Sequence, residues 1–367
     1  MARTLAGLPA GSRITDYISL GVVARFFPVK KVQEVLKQTD RESVRQRDLP
    51  AHVVIYYVIA LALYMRSSYR EVLRCLLEGL QWLLDPSVQV KVAGKSGISQ
   101  ARSRLGAEPV KKLYDGVVAP IAEKRTKGAW YRQWKLVSLD GSTLDVADTA
   151  ENDQAFGRPA ASRGSSAYPK IRFVGLLESG THVMWAARMS KYSTDEISLA
   201  RTVVPALRQG MLCLADRFFP GYQSTRHRRK QRKAIMVRVI EYRLKDVADA
   251  EPIYRLITTI LDPKLAPAKE LAALYHERWE IETMLDELKT HLRGAQIVLR
   301  SKTPELVQQE FYGLLMAHFA IRGLMHEAAL QADEDPDRLS FVHAVHVVQR
   351  RMARYVAIPP SAEENLS

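Results

Sequence analysis

Residues Tyr275 to Lys289 read YHERWEIETMLDELK. They place Tyr275, Arg278, Glu282 and Lys289 within one arc of roughly 60° on a helix that turns about 100° per residue. Beside that arc runs a stripe of Leu274, Ile281, Met284, Leu285, Leu288 and Leu292, the apolar side a helix needs to lie on a core while its polar edge faces a cleft. Pro267 near the start and Gly294 after the last turn bound the helix. A carboxylate flanked by a phenol, a guanidinium and an ammonium suits a metal ligand beside groups that hold phosphate. On this helix alone, an ordinary solvated face explains the pattern equally well.

Two aspartates outside the helix shift the balance. Lys135 to Leu139 (KLVSL) reads as a short buried strand that delivers Asp140 at its carboxyl end, with Gly141 directly after. Met211 to Ala215 (MLCLA) repeats the pattern and delivers Asp216. Between them lie two strand-like runs, Ile171 to Leu177 and His182 to Met189, joined by a turn at Glu178-Ser179-Gly180, and then a helical stretch near Ile197 to Leu207. This order is α/β. It lets two acids at neighbouring strand ends and one from a packed helix converge, and such a carboxylate set holds hard cations such as Mg²⁺ or Mn²⁺ rather than zinc or iron.

At these residues the chain resembles the DDE transposases of the insertion-sequence-four family, whose signature is Tyr, two residues, Arg, three, Glu, six, Lys. Tyr275, Arg278, Glu282 and Lys289 match each interval. The resemblance extends to SLDGSTLDVADT around Asp140, ENDQAFGRP from Glu151 to Pro159, LADRF around Asp216 and LRSKTPELVQQEFYGLLMAH from Leu299 to His318. It also reaches LPAHVVIYYVIALALY and SSYREVLRCLLEGLQWL in the amino-terminal region, so it covers nearly the whole chain. It implies a ribonuclease H-like catalytic core, a mixed sheet flanked by helices, after an all-α amino-terminal domain. It further implies a catalytic triad of Asp140, Asp216 and Glu282, metal-dependent endonuclease cleavage of DNA at terminal inverted repeats, and transfer of 3′-hydroxyl ends into target DNA by a homodimer in a synaptic complex.

Cleaving a phosphodiester needs an activated water or 3′-hydroxyl in line with the leaving oxygen. Two divalent ions about 3.5–4 Å apart serve both partners, so the protein must hold metals rather than supply a base. Asp140 is expected to bridge both ions, with Asp216 and Glu282 each completing one coordination sphere. Asp145 and Asp148 are rivals within DGSTLDVAD, although loop acids that satisfy turns after a strand read the same way. By resemblance, Tyr275 and Arg278 contact one backbone phosphate near the transposon end and Lys289 another; an arginine fork grips two phosphate oxygens at once.

Three departures from the family favour a second reading, a silenced DNA-binding remnant that inhibits transposition. The interval after Asp216 is short where relatives carry a mainly β insertion, here about 221–262, and it lacks tryptophan. Phe218 stands where relatives have glycine, and PPSAEENLS closes the chain where many continue into a basic tail. A stand-alone nuclease of the same fold is the third reading, and the complete Tyr-Arg-Glu-Lys helix argues against it.

With 54 Lys and Arg against 40 Asp and Glu, the net charge of +14 suits a polyanionic partner and binding that weakens with salt. The densest basic run, RHRRKQRK, supplies Arg226, Arg228, Arg229 and Lys230 as candidate phosphate contacts, or is a solvated loop. In the helical region the segment from Lys95 to Gly106 (KSGISQARSRLG) reads as a short recognition helix with Arg102 and Arg104 facing DNA. Packing explains that segment almost as well, and likewise a helix-turn-helix around Arg66 to Ser68.

The 367 residues are expected to form a helical DNA-binding domain over 1–127, a catalytic domain over 128–330 and a helical extension with a disordered tail over 331–367. His52 to Arg66 is apolar nearly throughout, too short to span a bilayer, and reads as a buried helix; Ser68 with Glu71 makes a capping box. No membrane partner is expected, and the lack of a signal peptide points to a cytoplasmic, nucleoid-associated protein. Cys75 and Cys213 read as buried thiols, and His343 with His346 lack the further ligands that a metal needs.

Overall fold

The computed structural model describes residues 23–43, 49–65, 67–74, 93–159, 168–215, 236–243, 253–276, 280–288 and 298–345. Helix α1 (Val29–Gln38) follows Pro28 and buries Val32, Val35 and Leu36. Helix α2 (Ala51–Leu63) starts after Pro50, is buried continuously from Val53 to Ala62, and stops at the turn of Tyr64 and Met65. It is the expected core helix, apolar all round because it is packed all round. The Ser68 hydroxyl accepts the Glu71 N–H at 3.2 Å, while the Glu71 carboxylate turns to Arg74 at 2.6 Å. Half of the capping box therefore forms. Helices α3 (Lys95–Leu105) and α4 (Glu108–Val117) complete the amino-terminal region.

The sheet is built on a long central strand. Strand β1 (Trp130–Tyr131) and strand β2 (Trp134–Asp145) pair antiparallel, and helix α5 (Ala150–Phe156), capped by Thr149, follows them. Strands β3 (Lys170–Glu178) and β4 (Val183–Lys191) continue the antiparallel sheet from β2, joined by a turn that includes Gly180 at φ +76 and His182 at φ +56. Helix α6 (Glu196–Val203), with Asp195 accepting the Ser198 N–H at its start, leads into strand β5 (Met211–Ala215), which lies parallel to β2. Three antiparallel strands, a crossover helix and a parallel fourth strand beside the first are the ribonuclease H-like arrangement expected from the sequence order.

A register shift between Val174 and Leu176 bends β4. Ala186 takes φ +54 there, and the buried Tyr114 hydroxyl fills the break in the ladder by donating to the Met184 carbonyl and accepting the Ala187 N–H, each at 3.0 Å. Helix α4 is thereby fixed to the sheet through a side chain doing backbone duty.

Strands β6 (Arg238–Tyr242) and β7 (Tyr254–Thr258) form a separate antiparallel pair inside the interval read as a shortened insertion. Ile240 and Leu256 pack with Leu136, Leu214, Leu271 and Leu274. Helices α7 (Ala268–His276), α8 (Glu280–Asp286) and the 29-residue α9 (Pro304–Ala332) follow, then a 3₁₀ turn at Pro336–Arg338 and a helical turn over 341–345. One buried cluster runs from α2 through β2, β3 and β4 to α9. Helices α2 and α9 touch backbone to backbone at Gly313, where a Cβ would sit 2.6 Å from the Val58 carbonyl oxygen. Among the described residues, no helix is long and apolar enough to cross a membrane.

Candidate active site

Strand β2 does not end before Asp140. Ser142, Thr143 and Leu144 keep pairing, with Phe173, Arg172 and Ile171, so Asp140 sits half-buried in mid-strand opposite Gly175. The expected stop at Leu139 is corrected: Gly141 pairs with Val174 and the ladder runs on, and glycine suits the position because a Cβ there would come 2.9 Å from the Phe173 carbonyl oxygen and from Val174. The Gly141 N–H donates to Asp140 Oδ1 at 2.8 Å.

Strand alternation puts Asp140 on the face of Ser142, Leu144 and the cross-strand Phe173. Phe173 packs on Phe311 of α9, with ring centroids 5.4 Å apart, so this is the face that α9 covers. Helix α8 packs on β2 and is tied to α9 through Glu287, directly after it. Asp140 and the helix that carries Glu282 therefore lie on the same side of the sheet.

The rival acids are otherwise engaged. Asp145, an odd number of residues from Asp140, belongs to the opposite face and is ion-paired with its cross-strand neighbour Lys170. Asp148 and Asp153 both pair with Arg158. The register of β2 with β5 runs from Lys135↔Met211 to Leu139↔Ala215. Directly after those last partners the sequence continues with Asp140 and Asp216. Cys213 in β5 is a free thiol that burial pushes up to about 12, which keeps it protonated.

In α8, Met284 and Leu285 are buried, as is Leu288 just beyond it, and Glu282 is exposed. Tyr275 is half-buried at the end of α7, close to Tyr242, whose hydroxyl is pushed up by burial and then by the phenols of Tyr275 and Tyr254. Asp216, Phe218, Arg226, Arg228, Arg229, Lys230, Arg278 and Lys289 lie outside the described residues, as do Cys75 and His346. Among the described residues, no three acids, imidazoles or thiols gather closely enough to hold a metal. The donors that are described fit a hard cation: Asp140 half-buried and Glu282 exposed, on the same side of one sheet.

Arg102 is a correction. It is 3 % exposed, and its guanidinium donates to Gln309 Oε1 at 3.1 Å and to Ser301 Oγ and the Leu306 carbonyl at 3.0 Å each. It joins α3 to the start of α9 and does not face DNA. The signal was in the sequence: Ile98, Ala101 and Leu105 make the buried stripe of α3, and Arg102 falls within it. Arg104 is exposed, and its carbonyl accepts Arg41 Nη1.

Sequence reasoning also missed a buried ionic cluster beside α8. Glu287 is 4 % exposed and accepts His318 Nε2 at 2.9 Å and Arg322 Nε at 3.0 Å, with Arg322 Nη2 on its second oxygen. Burial alone would raise this carboxyl; nearby His182, the hydrogen bond from His318 and the charge of Arg322 outweigh it and hold Glu287 well below the ordinary carboxylate range. Glu287 lies about 60° outside the arc of Met284, Leu288 and Leu285, as Glu282 does on the other side, so the local sequence did not mark it as buried.

Residues 17–115 match the family described as insertion element 4 transposase N-terminal, and residues 135–320 match the transposase DDE domain. The chain is 24 % identical over 364 residues to the transposase InsG for insertion sequence element IS4 of Escherichia coli (strain K12), covering 88 % of this chain and 80 % of that protein. It is 26 % identical over 203 residues to the putative transposase InsZ of the same strain, covering 55 % of this chain and 64 % of that protein. A cryo-EM structure of a piggyBac transposase synaptic complex with hairpin DNA aligns with a TM-score of 0.42 at 12 % identity, over 97 % of this chain and 85 % of that one. The two matched segments take up the helical amino-terminal region and the Asp140-bearing sheet in turn, and the chain belongs to the IS4 family of DDE transposases, DNA-binding enzymes that cleave and transfer DNA with divalent metal.

Proposed function

We propose that Asp140, Asp216 and Glu282 are the carboxylates that hold two Mg²⁺ or Mn²⁺ ions for cleavage at the terminal inverted repeats and transfer of 3′-hydroxyl ends to target DNA. The observation that carries the reading is that α8 packs on β2, on the face where Asp140 sits. Ions held there polarise a water or 3′-hydroxyl and take up charge on the leaving oxygen. The protein's task is then to aim carboxylates. The Gly141 N–H holds one Asp140 oxygen in place, and the apolar side of α8 turns Glu282 outward.

In this reading Tyr275 and Arg278 grip a phosphate near the transposon end, Lys289 holds another, and Arg226, Arg228, Arg229 and Lys230 follow the backbone. The helical region 1–127 recognises the ends, with Arg104 as a contact, the domain 128–330 cuts, and two copies act together in the synaptic complex close to the nucleoid. The test is nicking of DNA carrying the element's own ends, with Mg²⁺ or Mn²⁺, by wild type and Glu282→Ala. Metal-dependent nicking that disappears in the variant supports the reading. End binding without nicking by the wild type would instead favour the silenced remnant that the short interval after Asp216 suggests.

A further inference from the structure

Glu282 and Glu287 lie on one helical run yet have opposite fates. Glu282 is exposed, and Glu287, five residues on, is buried. On an α-helix that spacing is about 140° of rotation and about 7.5 Å of rise, so whatever fixes Glu287 also fixes where Glu282 points. At Glu287 and Leu288 the winding widens to a π-turn, a local distortion that recurs at functional positions.

The partners of Glu287 come from separate parts of the fold. His318 and Arg322 stand one turn apart on α9, 1 % and 2 % exposed. His182, in the β3–β4 turn, has Nδ1 3.6 Å from Glu287 and against Arg322 Nη2, and its Nε2 is 3.0 Å from Asp337 in the 3₁₀ turn. Phe341 backs the cluster, with the His318 ring 5.2 Å and the Arg322 guanidinium 5.5 Å from its ring. A buried ion pair is a poor way to gain stability, because an apolar set of equal volume does as well. What it adds is direction: Met284, Leu285 and Leu288 allow the helix to roll, whereas a carboxylate gripped by two guanidinium nitrogens and an imidazole does not.

We infer that Glu287 is a positioning residue for Glu282, holding α8 at the rotation and height at which the Glu282 carboxylate meets the metal that Asp140 also serves. The inference rests on the reading of Glu282 as a metal ligand. Groups that orient a ligand in this way cost about 10–100-fold in metal affinity when they are removed.

The experiment titrates Mn²⁺ into the full-length protein, follows free Mn²⁺ by electron paramagnetic resonance, and measures end binding and the melting temperature of the metal-free protein alongside. The variants are Glu287→Gln, Arg322→Lys, which keeps the buried charge but loses the fork, and Glu282→Ala. Mn²⁺ binding weakened about tenfold or more in the folded Glu287→Gln protein, or in Arg322→Lys should Glu287→Gln fail to fold, with DNA-end binding retained, is the expected result. Wild-type Mn²⁺ affinity in whichever of these folds, with only a lowered melting temperature, would show a structural role and overturn the inference. Unchanged Mn²⁺ binding in Glu282→Ala would overturn the ligand reading instead, which keeps the two failures distinguishable.

Discussion

Helices α3 and α8 were both read from sequence as presenting charge to DNA or metal, and they treat their charged residues differently. In α3 the arginine offered to DNA, Arg102, is buried against Ser301, Leu306 and Gln309. At α8 the acid offered to metal, Glu282, is exposed, and it is the neighbouring Glu287 that is buried. Common to both buried charges is a set of partners on or near α9. Arg102 borders Ile98, Ala101 and Leu105, whereas Glu282 and Glu287 each lie about 60° outside the arc of Met284, Leu285 and Leu288, on opposite sides, and only Glu287 is met by His318 and Arg322. Residue chemistry alone does not separate a structural charge from a functional one; the partners that meet it do.

The contrast can be broken most readily at Arg102. Arg102→Ala leaves buried Gln309 Oε1 without its donor and empties the space of the guanidinium, and is expected to cost about 2–4 kcal/mol of stability in urea unfolding. Arg104→Ala, one residue pair along and exposed, is expected within about 0.5 kcal/mol of wild type. Equal losses for the two would mean that α3 is not oriented as described.

Gly313→Ala probes the contact between α2 and α9 that carries the Arg102 joint. A Cβ 2.6 Å from the Val58 carbonyl oxygen forces the helices apart, for an expected loss of about 1–3 kcal/mol. A neutral substitution would show that the two helices slide freely.

The Glu287 cluster sharpens the comparison through pH. Burial holds the His318 imidazole below its ordinary 6.5, so as pH falls through that value the unfolded chain takes up a proton and the folded one does not. Glu287, held below its ordinary 4.5, contributes stability that is present above that value and is lost as pH falls below it. Both act in the same direction. Against burial and Arg322, Asp337 and Glu287 raise His182 of the same cluster above its ordinary 6.5, so it acts in the opposite direction and makes the decline shallower. Unfolding free energy is expected to decline from about pH 7 to about pH 5, and His318→Gln, which keeps a donor toward Glu287 but cannot titrate, is expected to flatten the decline. His52 and His326, also lowered by burial, leave a residual slope; an unchanged slope in His318→Gln would contradict the burial of that imidazole.

The smallest expected effect concerns DNA. If Arg104 touches a phosphate, Arg104→Ala lowers the salt dependence of end binding by about one unit of slope. A slope equal to that of wild type would remove Arg104 from the interface.

Much of the fold was legible because it rests on local signals. The apolar run of α2, the β3–β4 turn and the strand leading to Asp216 each stood in a single stretch of sequence, and each formed as read. The strand carrying Asp140 runs beyond the apolar stretch KLVSL that predicts it, because Phe173 to Lys170 on β3 extend the ladder to Asp145. The partners of the buried charges were not legible, since they are remote in the chain: Arg102 meets residues about 200 positions away, and Arg322 meets His182 across 140. A charge read without its partner looks like a surface residue. The spacing of Tyr275, Arg278, Glu282 and Lys289 was legible because it is a helix pattern, complete within fifteen residues.

Asp140 is proposed as the acid that works, and its neighbours Asp145 and Asp148 as acids that hold the fold. The direct measurement is metal-dependent nicking of end-bearing DNA by Asp140→Asn, Asp145→Asn and Asp148→Asn side by side. Loss of nicking in Asp140→Asn, with nicking kept in the two variants whose acids pair with Lys170 and Arg158, is the predicted result. Nicking that survives in Asp140→Asn and disappears in either of the others would contradict it.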